Sequence, residues 1–410
     1  MSVFFLALAV LAGFFSVAPH SGIDAKIAPI VAPHRFSIAG WELRALAREQ
    51  TSSGARQATV DDVSTVIDYF LGAKDVRSLE SRLDEAEAGA PLDQAAIRAD
   101  LASLRGRQVS MAEKVESIIE KQVTETLRGQ GIYNPFVRFT FSFPAVKFEL
   151  VRPPDVLVVS PRSHIESITQ TMLSPDLALS DAEDIESRVD ALDVSSLVTG
   201  IGGLAATYPT LVADDMDLRY TIETATHEWV HQYLAFRPLG FRYVLDAAGL
   251  AQDPDIRSMN ETVADMVGKE IGDMVYEKYY REAVAAVSGQ PPAPGNGETT
   301  EEPKPSFDFS AEMRAIRKQV DLMLSQGKID EAEQYMNERR DYLASHGYYI
   351  RKLNQAYFAF YGSYTDSPTS VDPIGVEMKQ LRSESGSIKE FLTRASSITS
   401  REELEKTAGP

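Results

Sequence analysis

Residues 224–237 of this 410-residue chain read TATHEWVHQYLAFR, and the predicted fold is built outward from them. On an α-helix, residues four apart lie one above the other on the same face, so the imidazoles of His227 and His231 can converge on one metal ion. Glu228 lies one step round the helix, where its carboxylate can hold and deprotonate a water molecule bound to that metal. The spacing therefore predicts a helix that carries half of a metal site.

The arrangement His-Glu-x-x-His resembles the active-site helix of the zincin metallopeptidases. The surrounding sequence favours a helix, because Ala225, Val230 and Leu234 offer apolar contacts and no proline occurs before Pro238. The motif is short, and its alternative is a buried helix with two incidental histidines. The sequence downstream decides between these two interpretations.

A second candidate helix begins near Met259 and supplies acidic side chains for the same site. Catalytic zinc usually has three protein ligands and one open position, and Glu261 is the natural third ligand. Asp265, one turn further on, can accept a hydrogen bond from the distal nitrogen of a ligating histidine. The alternative is a solvated first turn, where acidic residues are favoured.

The pattern Asn260-Glu261-x-x-x-Asp265 after His-Glu-x-x-His resembles the gluzincin metallopeptidases. In those enzymes the glutamate of the second helix completes a His, His, Glu site. The resemblance implies that the two histidines and Glu261 bind Zn²⁺ and that Glu228 is the general base. Asn260 and Asp265 are then expected to hold the metal ligands from behind.

A narrower resemblance lies further along, at Leu353-Asn354-Gln355-Ala356 and the following segment 357–364, YFAFYGSY. These residues are similar to the C-terminal "LNNA…Y" region of a family of bacterial predicted aminopeptidases, in which a "HExxH" helix is followed by an "NExxA" helix. The similarity covers the two metal helices and part of the C-terminal region. It does not extend to the N-terminal half or to Asp265. It implies an aminopeptidase-like activity on peptide or protein substrates.

A zinc hydrolase also needs a hydrogen-bond donor for the oxyanion that forms during attack on a carbonyl, and a tyrosine or histidine can supply it. Tyr361 and Tyr364 are the catalytic candidates, with His346 behind them. The alternative is that this aromatic-rich helix contributes only to the core.

Composition excludes several other functions. The chain has 44% hydrophobic residues, which is enough for a substantial core, and 60 acidic against 41 basic residues give a net charge of −19. So acidic a chain is not expected to bind nucleic acid. Because the chain has no cysteine, thiol catalysis and cysteine-based metal sites are excluded, and His and carboxylate remain as ligands.

The N-terminal segment 1–22 predicts a membrane anchor or a signal-like sequence. Residues 3–18 are uncharged and mostly apolar, just short of the usual spanning length. No Lys or Arg occurs before Lys26, and Pro19 follows the small residues at which a signal peptidase would cut, so a single-pass, uncleaved anchor is favoured. The alternative is a buried helix of the fold. The side of the membrane stays open, with the extracytoplasmic side as the working assignment.

The predicted fold class is α+β: a mostly helical, zincin-like metallopeptidase domain with a small mixed sheet. Residues 139–143, 147–151 and 155–159 alternate or run apolar as strands do. The expected organisation is a helical region 23–132, a catalytic core 133–288, a flexible Pro/Gly/Glu-rich linker 289–306 and a helical region 307–410. Residues 195–212 are either an edge strand that pairs with substrate or an ordinary glycine-bearing hairpin.

Two other classes of function compete with the enzyme. The first is a membrane-anchored binding or scaffold protein whose metal site is structural or inactive. Such a site needs the ligands but not Glu228, so the presence of that carboxylate favours the enzyme. The second is a helical interaction protein without any metal.

Overall fold

The computed structural model describes residues 22–36, 41, 59, 62–87, 92–136, 142–175, 177–204, 207–247, 250–251, 253–288, 307–362 and 373–408. Within these ranges the protein is a mostly helical α+β structure with two small three-stranded sheets. None of the described helices is both long and apolar enough to cross a membrane. The predicted anchor up to residue 21, the linker 289–306, Tyr364 and most of the candidate strand 139–143 lie outside the described residues.

The elements are numbered here in chain order. The N-terminal helices are α1 (Gly22–Val31), α2 (Val63–Glu87) and α3 (Gln94–Gly129). The middle part contains β1 (Phe148–Leu150), β2 (Asp155–Pro161), β3 (Thr169–Leu173), α4 (Leu179–Asp190), β4 (Val194–Gly200), β5 (Gly203–Leu204) and β6 (Thr210–Val212). Next come α5 (Leu218–Leu234), α6 (Pro238–Ala247), α7 (Pro254–Tyr279) and α8 (Arg281–Ser288). The C-terminal helices are α9 (Phe309–Ser325), α10 (Ile329–Ser345), α11 (Gln355–Tyr361), α12 (Ile374–Glu384), α13 (Ile388–Ala395) and α14 (Arg401–Ala408).

The strands form two sheets where the sequence predicted one. In the first sheet, of order β1-β6-β5, β1 runs parallel to β6 and β5 runs antiparallel to it. The second sheet, of order β3-β2-β4, is antiparallel throughout. The chain changes sheet between Gly200 and Gly203, where β4 ends and β5 begins to pair with β6. Local patterns predicted β1 and β2, whereas β3 was missed and the change of partner depends on contacts between distant residues.

The C-terminal region, predicted to be helical, begins with a helical hairpin. Helices α9 and α10 are joined through Gly327, whose φ of +73° is a conformation that residues with a side chain rarely adopt. The two helices form a separate apolar cluster together with residues in and just before α11. Its buried members are Met313, Ile316, Val320, Leu324, Ala332, Met336, Leu343, Leu353 and Phe358.

Helices α5 and α7 pack side by side in the largest hydrophobic cluster, and two glycines of α7 permit their close approach. A Cβ atom at Gly268 would lie 3.0 Å from both the Cα and the Cβ of His227. A Cβ atom at Gly272 would lie 2.7 Å from the Cγ of Glu223. Any larger side chain at either position would therefore push the two helices apart.

We expect the substitution Gly268→Ala to lower the free energy of unfolding by about 1–3 kcal/mol, the usual cost of overpacking a core. Gly106→Ala is the matched control, because Gly106 lies in α3 and a Cβ atom there would meet nothing within 4 Å. That control should raise the free energy of unfolding by about 0.5–1 kcal/mol through helix propensity alone. Denaturant titration of the two variants checks this, and equal stabilisation of both would contradict the tight α5–α7 contact.

Candidate metal centre

Helix α5 carries the first half of the centre and begins earlier than the sequence indicated. The side chain of Asp217 accepts a hydrogen bond from the backbone N–H of Tyr220, which caps the helix at Leu218. The helix ends at Leu234, and α6 begins at Pro238. The indole Nε1 of Trp229 donates to the carbonyl oxygen of Pro144 over 2.9 Å, which ties the middle of the helix to the segment before β1.

Helix α7 carries the second half. Its first residue is Pro254, and the side chain of Asp253 accepts a hydrogen bond from the N–H of Ile256, so capping and proline both define the helix start. The helix buries Asn260 completely and leaves only 8% of Glu261 exposed. A buried carboxylate needs a charged or hydrogen-bonding partner, and α5 supplies it.

The three predicted ligands come together between the two helices. His227 Nε2 and His231 Nε2 lie 3.0 Å apart. Glu261 Oε2 lies 3.5 Å from the first nitrogen and 3.4 Å from the second. Among the described residues, His227, His231 and Glu261 are thus a group that could hold a metal ion.

The far side of each imidazole is fixed by a side chain of α7. The Nδ1–H group of His227 donates to Oδ1 of Asp265 over 2.8 Å. The Nδ1–H group of His231 donates to Oδ1 of Asn260 over 2.6 Å. The structure therefore places Asp265 and Asn260 behind the ligands, each on a different histidine.

These hydrogen bonds decide which ring nitrogens face the centre. When Nδ1 of a neutral imidazole carries the proton, Nε2 presents a lone pair. Two such lone pairs and the Glu261 carboxylate then face one another within 3.0–3.5 Å. Converging acceptors repel unless a positive charge lies among them, and a proton or a metal ion can supply that charge.

The pKa shifts of His227, His231 and Glu261 also favour positive charge at this site. Burial acts to lower the pKa of His227, but its hydrogen bonds to Asp265 and Glu261 outweigh burial and raise it well above the usual value. Burial likewise acts to lower the pKa of His231, and the charge of Glu261 overcomes it. Burial acts to raise the pKa of Glu261, yet the histidines hold it below its ordinary value. The carboxylate therefore stays ionised within a site that attracts cations.

Glu228 lies beside the candidate ligands, and the charges of His227 and His231 act on its carboxylate. It is 7% exposed, and no group among the described residues donates a hydrogen bond to its carboxylate. Burial raises the pKa of Glu228, and the neighbouring histidines act against this rise. Strand β5 passes close by, because a Cβ atom at Gly203 would lie 2.5 Å from Glu228 Oε1. The absence of a side chain at Gly203 thus leaves room for this carboxylate.

Tyr243 also belongs to the centre, and sequence reasoning missed it. Its hydroxyl donates to Glu261 Oε1 over 3.0 Å, and its ring stacks on His231 with centroids 5.4 Å apart. Burial first, and then the charge of Glu261, raise the pKa of Tyr243 well above its usual value, so the hydroxyl stays a donor. No sequence motif includes Tyr243. Only its position in the short helix between α5 and α7 could have indicated a role in the centre.

The C-terminal candidates lie in different surroundings. The hydroxyl of Tyr361 lies 3.0 Å from Thr199 Oγ1, near the end of β4. The ring of His346 stacks on Phe307, with centroids 4.4 Å apart. Tyr364 lies outside the described residues. A role in oxyanion stabilisation stays a prediction for all three.

Comparisons of the chain with protein-family models, with curated proteins and with solved structures find no match in any of the three. The functional interpretation therefore rests on the motif residues and on the geometry of the group formed by His227, His231 and Glu261.

The substitution Tyr243→Phe should weaken the binding of a divalent metal ion at this group by about 10-fold, because outer hydrogen bonds that orient metal ligands typically contribute 10–100-fold in affinity. Titration with zinc and a competing chelator measures the effect. Tyr233→Phe is the control, since the Tyr233 ring packs on Trp229 in α5, away from the ligands' hydrogen bonds. Equal zinc affinities of the two variants would show that the Tyr243 hydroxyl does not support Glu261.

Proposed function

We propose that this protein is a zinc-dependent metallopeptidase that hydrolyses peptide bonds. The observation that carries the proposal is the convergence of His227, His231 and Glu261 beside Glu228, whose buried carboxylate accepts no hydrogen bond from the residues that the structure describes. The two imidazoles and the Glu261 carboxylate would hold the Zn²⁺ ion. A purely structural metal site has no use for an additional buried carboxylate at its edge.

The donor set and the spacing fit zinc. In a tetrahedral site with bonds of 2.0–2.1 Å, neighbouring ligand atoms lie about 3.3 Å apart. The three separations here are 3.0, 3.4 and 3.5 Å. Calcium and magnesium prefer oxygen ligands, so two imidazole nitrogens with one carboxylate favour zinc.

Each residue has a distinct task in this proposal. Zinc, when bound, would lower the pKa of a water molecule and polarise the substrate carbonyl. The carboxylate of Glu228 accepts the proton of the attacking water at an Oε atom and later donates it to the leaving amine. Asp265 and Asn260 keep the imidazoles in the tautomer that presents Nε2 to the centre. Tyr243 holds Oε1 of Glu261, so that Oε2 faces the two imidazoles.

Substrate recognition would use the chain segment that leads from β4 to β5. An extended peptide can add its backbone to an exposed strand edge, and Gly203 brings this segment against Glu228. Thr199, which holds Tyr361, is four residues earlier, at most about 14 Å away along an extended chain. We propose Tyr361, with Tyr364, as the donor to the oxyanion.

Two further parts of the proposal come from the sequence alone. Aminopeptidase specificity derives from the resemblance of the segment around residues 353–364. Association with a membrane derives from the apolar residues 3–18.

The decisive substitution is Glu228→Gln in the full-length chain. We expect one zinc per chain in both proteins and a fall in the rate of peptide hydrolysis of 10²–10⁴-fold in the variant, the usual contribution of a general base. Metal analysis and turnover on a panel of peptides measure both quantities. Zinc in both proteins without any turnover would instead favour the binding or scaffold protein, and no zinc in either would exclude the metal site.

A second substitution tests the position of Glu228 rather than its chemistry. Gly203→Ala places a methyl group where the Glu228 carboxylate lies, so the flexible side chain must move. Turnover should fall by at least about 10-fold, while zinc content and thermal stability change little. In a Glu228→Gln background the same substitution should have no further effect on turnover, and additive losses would contradict a shared cause.

A further inference from the structure

Helices α6 and α7 make two polar contacts that lie about one helical turn apart. Tyr243 and Asp246 are three positions apart on α6, and Arg257 and Glu261 are four positions apart on α7. Residues at these spacings share one face of a helix. Tyr243 contacts Glu261, and Asp246 contacts Arg257. The ion pair is therefore the neighbour of the hydrogen bond that holds the third candidate ligand.

The ion pair between Asp246 and Arg257 has two-pronged geometry. Arg257 Nε donates to Oδ2 of Asp246 over 3.0 Å. Arg257 Nη2 lies 2.9 Å from the same oxygen and 3.2 Å from Oδ1. Asp246 is only 3% exposed, and opening the pair would leave a buried carboxylate without its cationic partner. The pair therefore resists separation of the two helices.

The carboxylate of Asp246 also binds the residue that caps α7. Its Oδ1 accepts the backbone N–H of Asp253 over 2.8 Å. Asp253 in turn accepts the N–H of Ile256 at the start of the helix. One buried side chain thus attaches the end of α6 both to the cap of α7 and to its first turns.

The other end of α6 is attached to the C-terminal helices. The N–H of Leu239 donates to the carbonyl oxygen of Ser396 over 3.1 Å, and Leu239 is fully buried. Helix α6 has ten residues, and a helix of that length depends on its contacts more than on its own hydrogen bonds. Tyr243 lies between the two anchors, so its position relative to Glu261 follows from both.

We infer that the ion pair between Asp246 and Arg257 positions Glu261 for metal binding and acts through the hydroxyl of Tyr243. This inference rests on the metal site of the proposed function and adds two positioning residues to it. If the end of α6 shifts, the Tyr243 hydroxyl moves away from Glu261 Oε1. The carboxylate then loses the donor that orients it, and a metal ion binds less tightly to a ligand that it must itself fix in place.

The substitution Arg257→Lys tests the inference. Lysine keeps the positive charge beside Asp246 but cannot reproduce the two-pronged contact. Zn²⁺ affinity of the full-length chain, measured in competition with a chelator, should fall at least about threefold, because part of the orienting effect of Tyr243 is lost. In a Tyr243→Phe background the same substitution should cause no further loss, since the hydroxyl through which it acts is absent.

Arg382→Lys is the matched control. Arg382 binds both oxygens of Glu270, over 2.9 and 2.8 Å, and so joins α12 to α7 by the same kind of contact. The control should leave the affinity for Zn²⁺ unchanged. Denaturant titration of the metal-free proteins measures the stability that each substitution removes, which should be similar for the two variants, and it confirms that both are folded.

The outcomes separate the inference from the function beneath it. An unchanged Zn²⁺ affinity in Arg257→Lys overturns the inference and leaves the metal site intact. An equal loss in Arg382→Lys, or an additive loss in the Tyr243→Phe background, shows a general effect on stability or charge and overturns it as well. If the parent binds no Zn²⁺, the proposed function fails, and the inference fails with it.

Discussion

The close contact between α5 and α7 determines the relative positions of the three candidate metal ligands. Two ligands lie on one helix and the third on the other, so the distances among His227, His231 and Glu261 are distances across a helix interface. Gly268 allows this interface to close directly behind His227. Because the interface lies within the largest hydrophobic cluster, the burial of apolar side chains holds the polar groups at their spacing.

The two imidazoles and the Glu261 carboxylate are costly to bury. Hydrogen bonds from side chains around them offset this cost. Asp265, Asn260 and Tyr243 each contact one of the three ligands. Two of these partners lie on α7 itself, at positions whose side chains reach across to α5. The third comes from α6, the short helix between the two. The chain segment that joins the metal helices therefore contributes to the centre as well as connecting it.

Local sequence predicted the features that depend on helical geometry. The spacing of His227 and His231, and that of Glu261 and Asp265, fixes which side chains share a helix face, and the helices are present. Tyr243 could not be found in this way, since its contact with Glu261 depends on how α6 packs. The two separate sheets and the ion pair between Arg351 and Glu186 were missed for the same reason, because such contacts join residues as far as 165 positions apart in the sequence. The periodicity of a sequence predicts individual helices and strands. Contacts between residues far apart in the sequence depend on how those helices and strands pack together.

The two hydrogen bonds of the Asn354 side chain have a consequence for how the chain tolerates changes in length. Asn354 holds β4 through Ser196 and also caps α11 through the N–H of Tyr357. The C-terminal region is thus attached to the sheet by its own side chains. The number of residues between Ser288 and Phe307 then has little influence on where that region docks, and loop entropy grows only slowly with length. Among homologous sequences, insertions and deletions between residues 288 and 307 should therefore be far more common than changes at Arg351 or Asn354.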